Sequence, residues 1–279
     1  MDRWGEWLDL IFPRACALCS HPLTDPEARS LCGRCFDQLN PIENGCLRCG
    51  APVENESVAV RKKPKKGKRT RCSVCEKSPL EMTRVFAFTV YADTAIRVAR
   101  KMKEPRYEPL AEQIGRSVAV WLLQATPFAV EHYDAFVPIP QHWFRRLSLR
   151  YNQSEVLAAG LSAVLGGRVE DRWLHRTRWT PKQGMKTIAE RRKNMHRGFD
   201  VPEKYTGRIQ GRRFLLVDDV MTSGATLDQA AWALKQRGAL MVDAVVFARG
   251  LGARKSPLSR PQPEPNLPQK PRTRSAKNA

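Results

Sequence analysis

Two regimes of hydrophobic patterning divide the chain. After Cys75, short and almost wholly apolar runs alternate with longer stretches whose apolar positions recur at helical spacing. The runs at 85–91, 135–139, 214–220 and 242–248 predict strands, and 95–103, 110–123, 153–165, 188–194 and 225–237 predict helices. Strands that are apolar at nearly every position need cover on both faces, so the expected fold class is α/β, a parallel sheet with helices on both sides. Before Cys75 large apolar residues are sparse and cysteines frequent. From 251 onward the chain carries six prolines, seven basic residues and little to bury, which predicts a disordered basic tail. The expected divisions are therefore 1–80, 81–250 and 251–279. At the start, Trp4, Trp7, Leu8 and Ile11 recur at helical spacing and predict a short amphipathic helix docked on the domain.

All eight cysteines fall in four Cys-x-x-Cys pairs: Cys16/Cys19, Cys32/Cys35, Cys46/Cys49 and Cys72/Cys75. Two thiolates at this spacing form a knuckle, and two knuckles complete a four-sulfur tetrahedron of the kind Zn²⁺ prefers. Disulfides would need an oxidising compartment and hence an export signal. The usual spacings of iron–sulfur ligands differ from paired knuckles, and a redox pair would account for one Cys-x-x-Cys but not four. Sequential pairing puts 12 residues between the knuckles of the first group and 22 between those of the second. Crossed pairing stays open at this point. Both sites would be closed and structural, two Zn²⁺ in all. A ribbon module so poor in apolar side chains would draw most of its folding free energy from metal, and it is expected to be separable from the α/β domain.

Charge changes the picture in two places only. The net charge is +20, of which 61–69 contributes +7 and the tail from 251 contributes +6, leaving an ordinary +7 for the rest. Such runs attract polyanions without sequence preference, so single-stranded DNA is a candidate partner for the basic loop and the tail. No uninterrupted apolar run approaches the roughly 20 residues of a membrane span. The N-terminus lacks a basic start followed by a long apolar stretch, so the expected location is cytoplasmic.

The most informative segment runs from Arg213 to Thr226. An apolar strand delivers Asp218 and Asp219 to its C-terminal end, where α/β proteins bind ligands. Met221, Thr222, Ser223, Gly224, Ala225 and Thr226 then form a turn of small, hydroxyl-rich residues that opens a helix. Consecutive backbone N–H groups at a helix N-terminus suit a phosphate monoester, and paired acids beside them suit a polyol, with or without Mg²⁺.

Val217-Asp-Asp-Val-Met-Thr-Ser-Gly-Ala-Thr226 resembles the signature of type I phosphoribosyltransferases, which bind 5-phosphoribosyl-1-pyrophosphate with Mg²⁺. The resemblance implies that Asp218 and Asp219 contact the ribose hydroxyls and that Met221 to Thr226 hold the 5-phosphate. Four cysteine pairs ahead of such a domain are similar to the ComF family (ComF/GntX-like), a double zinc ribbon joined to a phosphoribosyltransferase domain. Val137-Pro-Ile-Pro140, Arg150-Tyr-Asn-Gln153, Thr180-x-x-Gln183 and Arg191-Arg192-x-Asn194 match as well. Within that likeness Arg145, Arg146 and Arg150 would face pyrophosphate, and the basic stretch 176–198 would close over substrate. Lys103 matches a family lysine, with Lys101 as its rival. Thr222 stands where purine-salvage members carry an acid that can serve as a base, so the acceptor substrate stays open.

Three functions compete. The first is pentosyl transfer with pyrophosphate as leaving group. The second is non-catalytic handling of single-stranded DNA, with the phosphoribosyl site as a sensor. The third is a zinc-ribbon adaptor. The family likeness implies a role in DNA uptake during natural transformation, with a DNA-uptake helicase as a candidate partner of the ribbons.

Overall fold

The computed structural model describes residues 14–23, 30–53, 72, 74–75, 80–125, 130–141, 151–177 and 198–251. Several expectations lie outside the described residues: the helix around Trp4 to Ile11, the basic run 61–69, Arg145, Arg146 and Arg150, the helix 188–194 with most of 176–198, and the tail beyond Leu251.

Four strands form one parallel sheet: β1 Val85–Val90, β2 Ala135–Pro138, β5 Arg213–Met221 and β6 Met241–Arg249, in the order β1-β6-β5-β2. β5 and β6 each run one residue further at both ends than the pattern predicts. A two-stranded antiparallel piece, β3 His175–Arg176 with β4 Phe199–Asp200, flanks the segment predicted to close over the site. The helices are α1 Gly33–Asp37, α2 Asp93–Lys101, α3 Glu108–Ala125, α4 Gln153–Leu165, α5 Thr206–Ile209 and α6 Ala225–Gln236. α2 stops two residues short of the expected 103. The cause is Pro105, the first residue of a 3₁₀ turn, which holds Glu104 extended at φ −102° and ψ 130°.

The period-two alternation of the strands divides the core into two layers. Along β5, Leu215 and Val217 face a cluster shared with α2, α3 and α4, while Phe214 and Leu216 face a cluster shared with α6. The α3–α4 crossing is unusually close. A Cβ on Gly115 would run into the carbonyl of Leu157, and one on Gly160 into that of Glu112. Two glycines therefore let two helix backbones touch, which draws the N-terminus of α4 in against the end of β5.

The first cysteine group packs directly on the core of the α/β domain, while the second forms a buried cluster of its own. Cys16, Leu18, Leu31, Cys35 and Leu39 belong to the same buried cluster as Phe86, Phe88, Val98 and Ile114. The amides of Ser30 and Leu31 donate to Gln113 Oε1 on α3 at 2.8 and 3.1 Å. Pro41 bridges Thr89, and the Ile42 amide donates to the Phe88 carbonyl at 2.7 Å, so the ribbon covers the outer edge of β1. The physical reason is size. A few dozen residues with little apolar surface gain more by extending a neighbouring core than by building their own. Leu251, at the head of the expected tail, packs against the second cysteine cluster.

Candidate functional site

The knuckles pair in sequence order. Cys16, Cys19, Cys32 and Cys35 form one group and Cys46, Cys49, Cys72 and Cys75 the other, with all sulfurs of a group within 4.8 Å of one another. The Sγ separations of 3.7 Å for Cys19/Cys32 and 3.5, 3.8 and 3.9 Å for Cys49/Cys72, Cys72/Cys75 and Cys46/Cys75 fit a metal tetrahedron. Four sulfurs at about 2.3 Å from a central Zn²⁺ stand about 3.8 Å apart. None of the eight is in a disulfide. Each group supplies four ligands from the chain and leaves no position for a reacting molecule, so the sites are structural zinc sites.

The second centre lies at the C-terminal end of β5. Asp218 and Asp219 are both nearly buried. Asp218 Oδ1 accepts from Ser154 Oγ at 3.0 Å and from the Asp219 amide at 2.9 Å. Burial first, and the neighbouring Asp219 carboxylate second, push the Asp218 carboxyl up to about 8, while the hydrogen bonds from the Asp219 amide and Ser154 pull the other way. Asp219 Oδ1 accepts from the Val220 amide at 2.9 Å. Among the described residues its Oδ2 is buried without a hydrogen-bond partner and makes an ion-pair contact with Lys103 Nζ at 3.4 Å. An acceptor in that state fits a hydroxyl donor or a cation.

Lys103 rather than Lys101 reaches the acids. Lys101 Nζ donates to Tyr107 Oη at 2.7 Å and sits 4.3 Å over the ring. The stop of α2 at Lys101 sets this division. Tyr151 Oη donates to the Met102 carbonyl at 2.7 Å and fixes the turn from which Lys103 projects.

After the acids the chain turns through Thr222 and Ser223 into α6. Gly224 caps that helix at φ +83°, in the left-handed region, and the Ala225 amide donates to Ser223 Oγ at 3.4 Å. A side chain there would be strained, and its Cβ would lie 2.6 Å from Met221 Cε. The turn thus sets the exposed Thr222 and Ser223 at a helix N-terminus beside two acids, an arrangement able to hold an anionic ester and a polyol together.

Of the basic residues expected in the closing segment, Arg176 alone falls among the described residues. Its guanidinium lies 5.5 Å over the Phe199 ring. Burial lowers its pKa, and attraction to Asp218 opposes that shift. Sequence reasoning missed Ser154 and Arg249, and it gave Tyr151 no role beyond its place in Arg150-Tyr-Asn-Gln153. Arg249 left a signal, as a lone cation ending a mostly apolar strand run, which demands buried partners.

Residues 7–76 match the double zinc ribbon domain and residues 153–261 the phosphoribosyl transferase domain. These matches and the geometry define the class: a double zinc ribbon built onto a phosphoribosyltransferase-type parallel sheet. A double zinc ribbon followed by a phosphoribosyl transferase domain is the arrangement that the likeness to the ComF family implies. It is 26% identical over 249 residues, 87% of this chain and all of the relative, to the DNA utilization protein YhgH of Escherichia coli K12. To competence protein F of Haemophilus influenzae it is 30% identical over 105 residues, 38% of this chain and 45% of that one. Among solved structures, the glutamine phosphoribosylpyrophosphate amidotransferase of B. subtilis complexed with ADP and GMP aligns with 49% of this chain at 19% identity and a TM-score of 0.33. This chain spans about a quarter of that protein's length, covering 25% of it.

Proposed function

We propose that the site at the end of β5 binds 5-phosphoribosyl-1-pyrophosphate with Mg²⁺ and transfers its ribosyl group to an acceptor, in a protein of DNA uptake or utilization. The observation that carries this reading is the pair of nearly buried acids, one with an oxygen that accepts no hydrogen bond, set directly before a left-handed turn into α6. The names of the relatives support the cellular role.

In this reading Asp218 and Asp219 accept hydrogen bonds from the ribose hydroxyls, and Met221, Thr222, Ser223, Gly224, Ala225 and Thr226 hold the 5-phosphate through backbone N–H groups. Lys103 and Arg176 place positive charge beside the acids, with Arg145, Arg146 and Arg150 on the pyrophosphate side. The bond from the anomeric carbon to pyrophosphate breaks as the acceptor's bond forms, through a transition state with cationic character on the ring. The Asp219 carboxylate, fixed by the Val220 amide, stabilises that charge, and Asp218, held by Ser154 and the Asp219 amide, adds to it once it gives up its proton. Mg²⁺ bound together with the ligand would supply positive charge to the leaving pyrophosphate.

Isotope exchange of labelled pyrophosphate into phosphoribosyl pyrophosphate, run with candidate acceptors, tests turnover. Binding without exchange under any acceptor favours the second reading, in which the site senses the ligand while the ribbons, the basic run 61–69 and the tail engage single-stranded DNA or a helicase. Thr222, an alcohol where purine-salvage enzymes carry an acid, is what keeps that reading alive.

A further inference from the structure

We propose that the second cysteine group is the foundation of the loop 221–226, with Arg249 and Arg48 as the positioning residues that tie the two together, so that zinc in this group orders the loop. A corollary rests on the reading of that loop as a ribose-phosphate cradle: zinc and a phosphate ester strengthen one another's binding.

Arg249 ends β6 and is 3% exposed. Its Nε donates to the carbonyl of Cys49 at 2.9 Å. Its Nη1 donates to the carbonyl of Met221 at 3.0 Å and to those of Thr222 and Gly250. One rigid, planar cation therefore spans a zinc knuckle and the entrance of the loop. The knuckle carbonyl stays where the turn puts it, since the Cys49 and Gly50 amides both donate to the Cys46 carbonyl, at 3.1 and 2.7 Å.

The exit of the loop is held from the same knuckle. Arg48, between Leu47 and Cys49, donates to the carbonyls of Leu80 and Met82 and, at 3.4 Å, to that of Thr83. The Glu81 amide in that segment donates to Asp228 Oδ1 at 2.5 Å, in the first turn of α6. Leu80 Cδ2 lies 3.5 Å from the position a Cβ on Gly224 would take. The first cysteine group is bonded elsewhere, with the Leu18 carbonyl accepting from Arg97 on α2 at 2.7 Å.

A buried guanidinium is stable only while its acceptors stay in place, because an unpaired buried charge is costly. Loss of the metal frees the Cys49 knuckle and removes one end of that constraint. Coupling of this kind is reciprocal in binding free energy, so a ligand that orders the loop must retain zinc by the same factor.

The test uses the full chain and compares wild type, Arg249→Lys, Cys75→Ser and Cys19→Ser by hydrogen exchange across 221–228, by titration with ribose 5-phosphate, and by zinc release to a chelating dye. Lysine keeps the charge but not the fork. Arg249→Lys should keep both zinc ions, speed exchange in 221–228 by about tenfold and weaken ribose 5-phosphate by a similar factor. It should also abolish the slowing of zinc release that ribose 5-phosphate produces in wild type, a readout that a merely structural arginine would leave alone. Cys75→Ser should reproduce the loop effect and Cys19→Ser should not. Loop exchange that is the same in all three variants overturns the proposal. Should Arg249→Lys fail to fold, wild type stripped of its second zinc decides: unchanged exchange in 221–228 overturns the coupling. If wild type binds no ribose 5-phosphate yet its loop still responds to zinc, the coupling stands and the phosphoribosyl reading falls.

Discussion

Ser154 Oγ donates to Asp218 Oδ1 across 3.0 Å, joining the first turn of α4 to the tip of β5. The bond is one of few compensations for a carboxyl that burial and a neighbouring acid push up to about 8. A carboxyl raised in the folded state is stabilising while protonated. Its contribution is complete below the unfolded value near 4 and is lost as pH rises through 8. Asp218→Asn should therefore raise the melting temperature of the ligand-free protein by several degrees at pH 8 and by little at pH 5, while abolishing ligand binding. Thermal melts of both proteins from pH 5 to 8.5 check it. Parallel curves would mean that Asp218 does not titrate in this window.

Metal analysis should find two Zn²⁺ per chain, given two complete four-cysteine groups. One zinc, or an iron–sulfur absorption band, would be incompatible with them. Because Cys35 is buried in the cluster that also holds Phe88 and Ile114, Cys35→Ser should lower the melting temperature of the whole domain and not only loosen a ribbon. A loss above about 2 kcal/mol is expected, since truncated metal sites and core defects both act. Differential scanning calorimetry distinguishes one shifted transition from two.

Gly224→Val should cost about 1–2 kcal/mol through its left-handed backbone alone. It should also eliminate binding of phosphoribosyl pyrophosphate, because the new side chain would collide with Met221 and displace the backbone of the turn. Asp219→Asn should weaken binding by about 1.5–3 kcal/mol, the range for a charge-assisted hydrogen bond. Calorimetric titration with and without Mg²⁺ reads both. Equal affinity in wild type and variants would leave the turn as a helix cap.

Gly160→Ala should destabilise the fold by about 1–3 kcal/mol, the usual penalty for overpacking, because its methyl meets the Glu112 carbonyl. Urea denaturation reads the loss. The substitution should also weaken ligand binding, since it pushes Ser154 away from Asp218. A stability loss with unchanged affinity would separate the helix crossing from the site.

The local features of this protein were determined by its sequence: four apolar strand runs, the helices between them, four knuckles, and a turn of acids, hydroxyls and glycine. Each arises from short-range chemistry, namely side-chain periodicity, thiolate spacing and the backbone freedom of Gly224. The end of α2 was legible too, in Pro105, though the helical pattern overran it. Tertiary structure decided what depends on partners far along the chain. It paired the knuckles, selected Lys103 over Lys101, and brought Ser154 to Asp218. It set a cysteine knuckle and the turn into α6 on one buried arginine, where Arg249 donates to both Cys49 and Met221. It also merged the first ribbon with the sheet's core, because a surface too small to bury itself is stable only against a neighbour, and pattern alone does not say which neighbour that is.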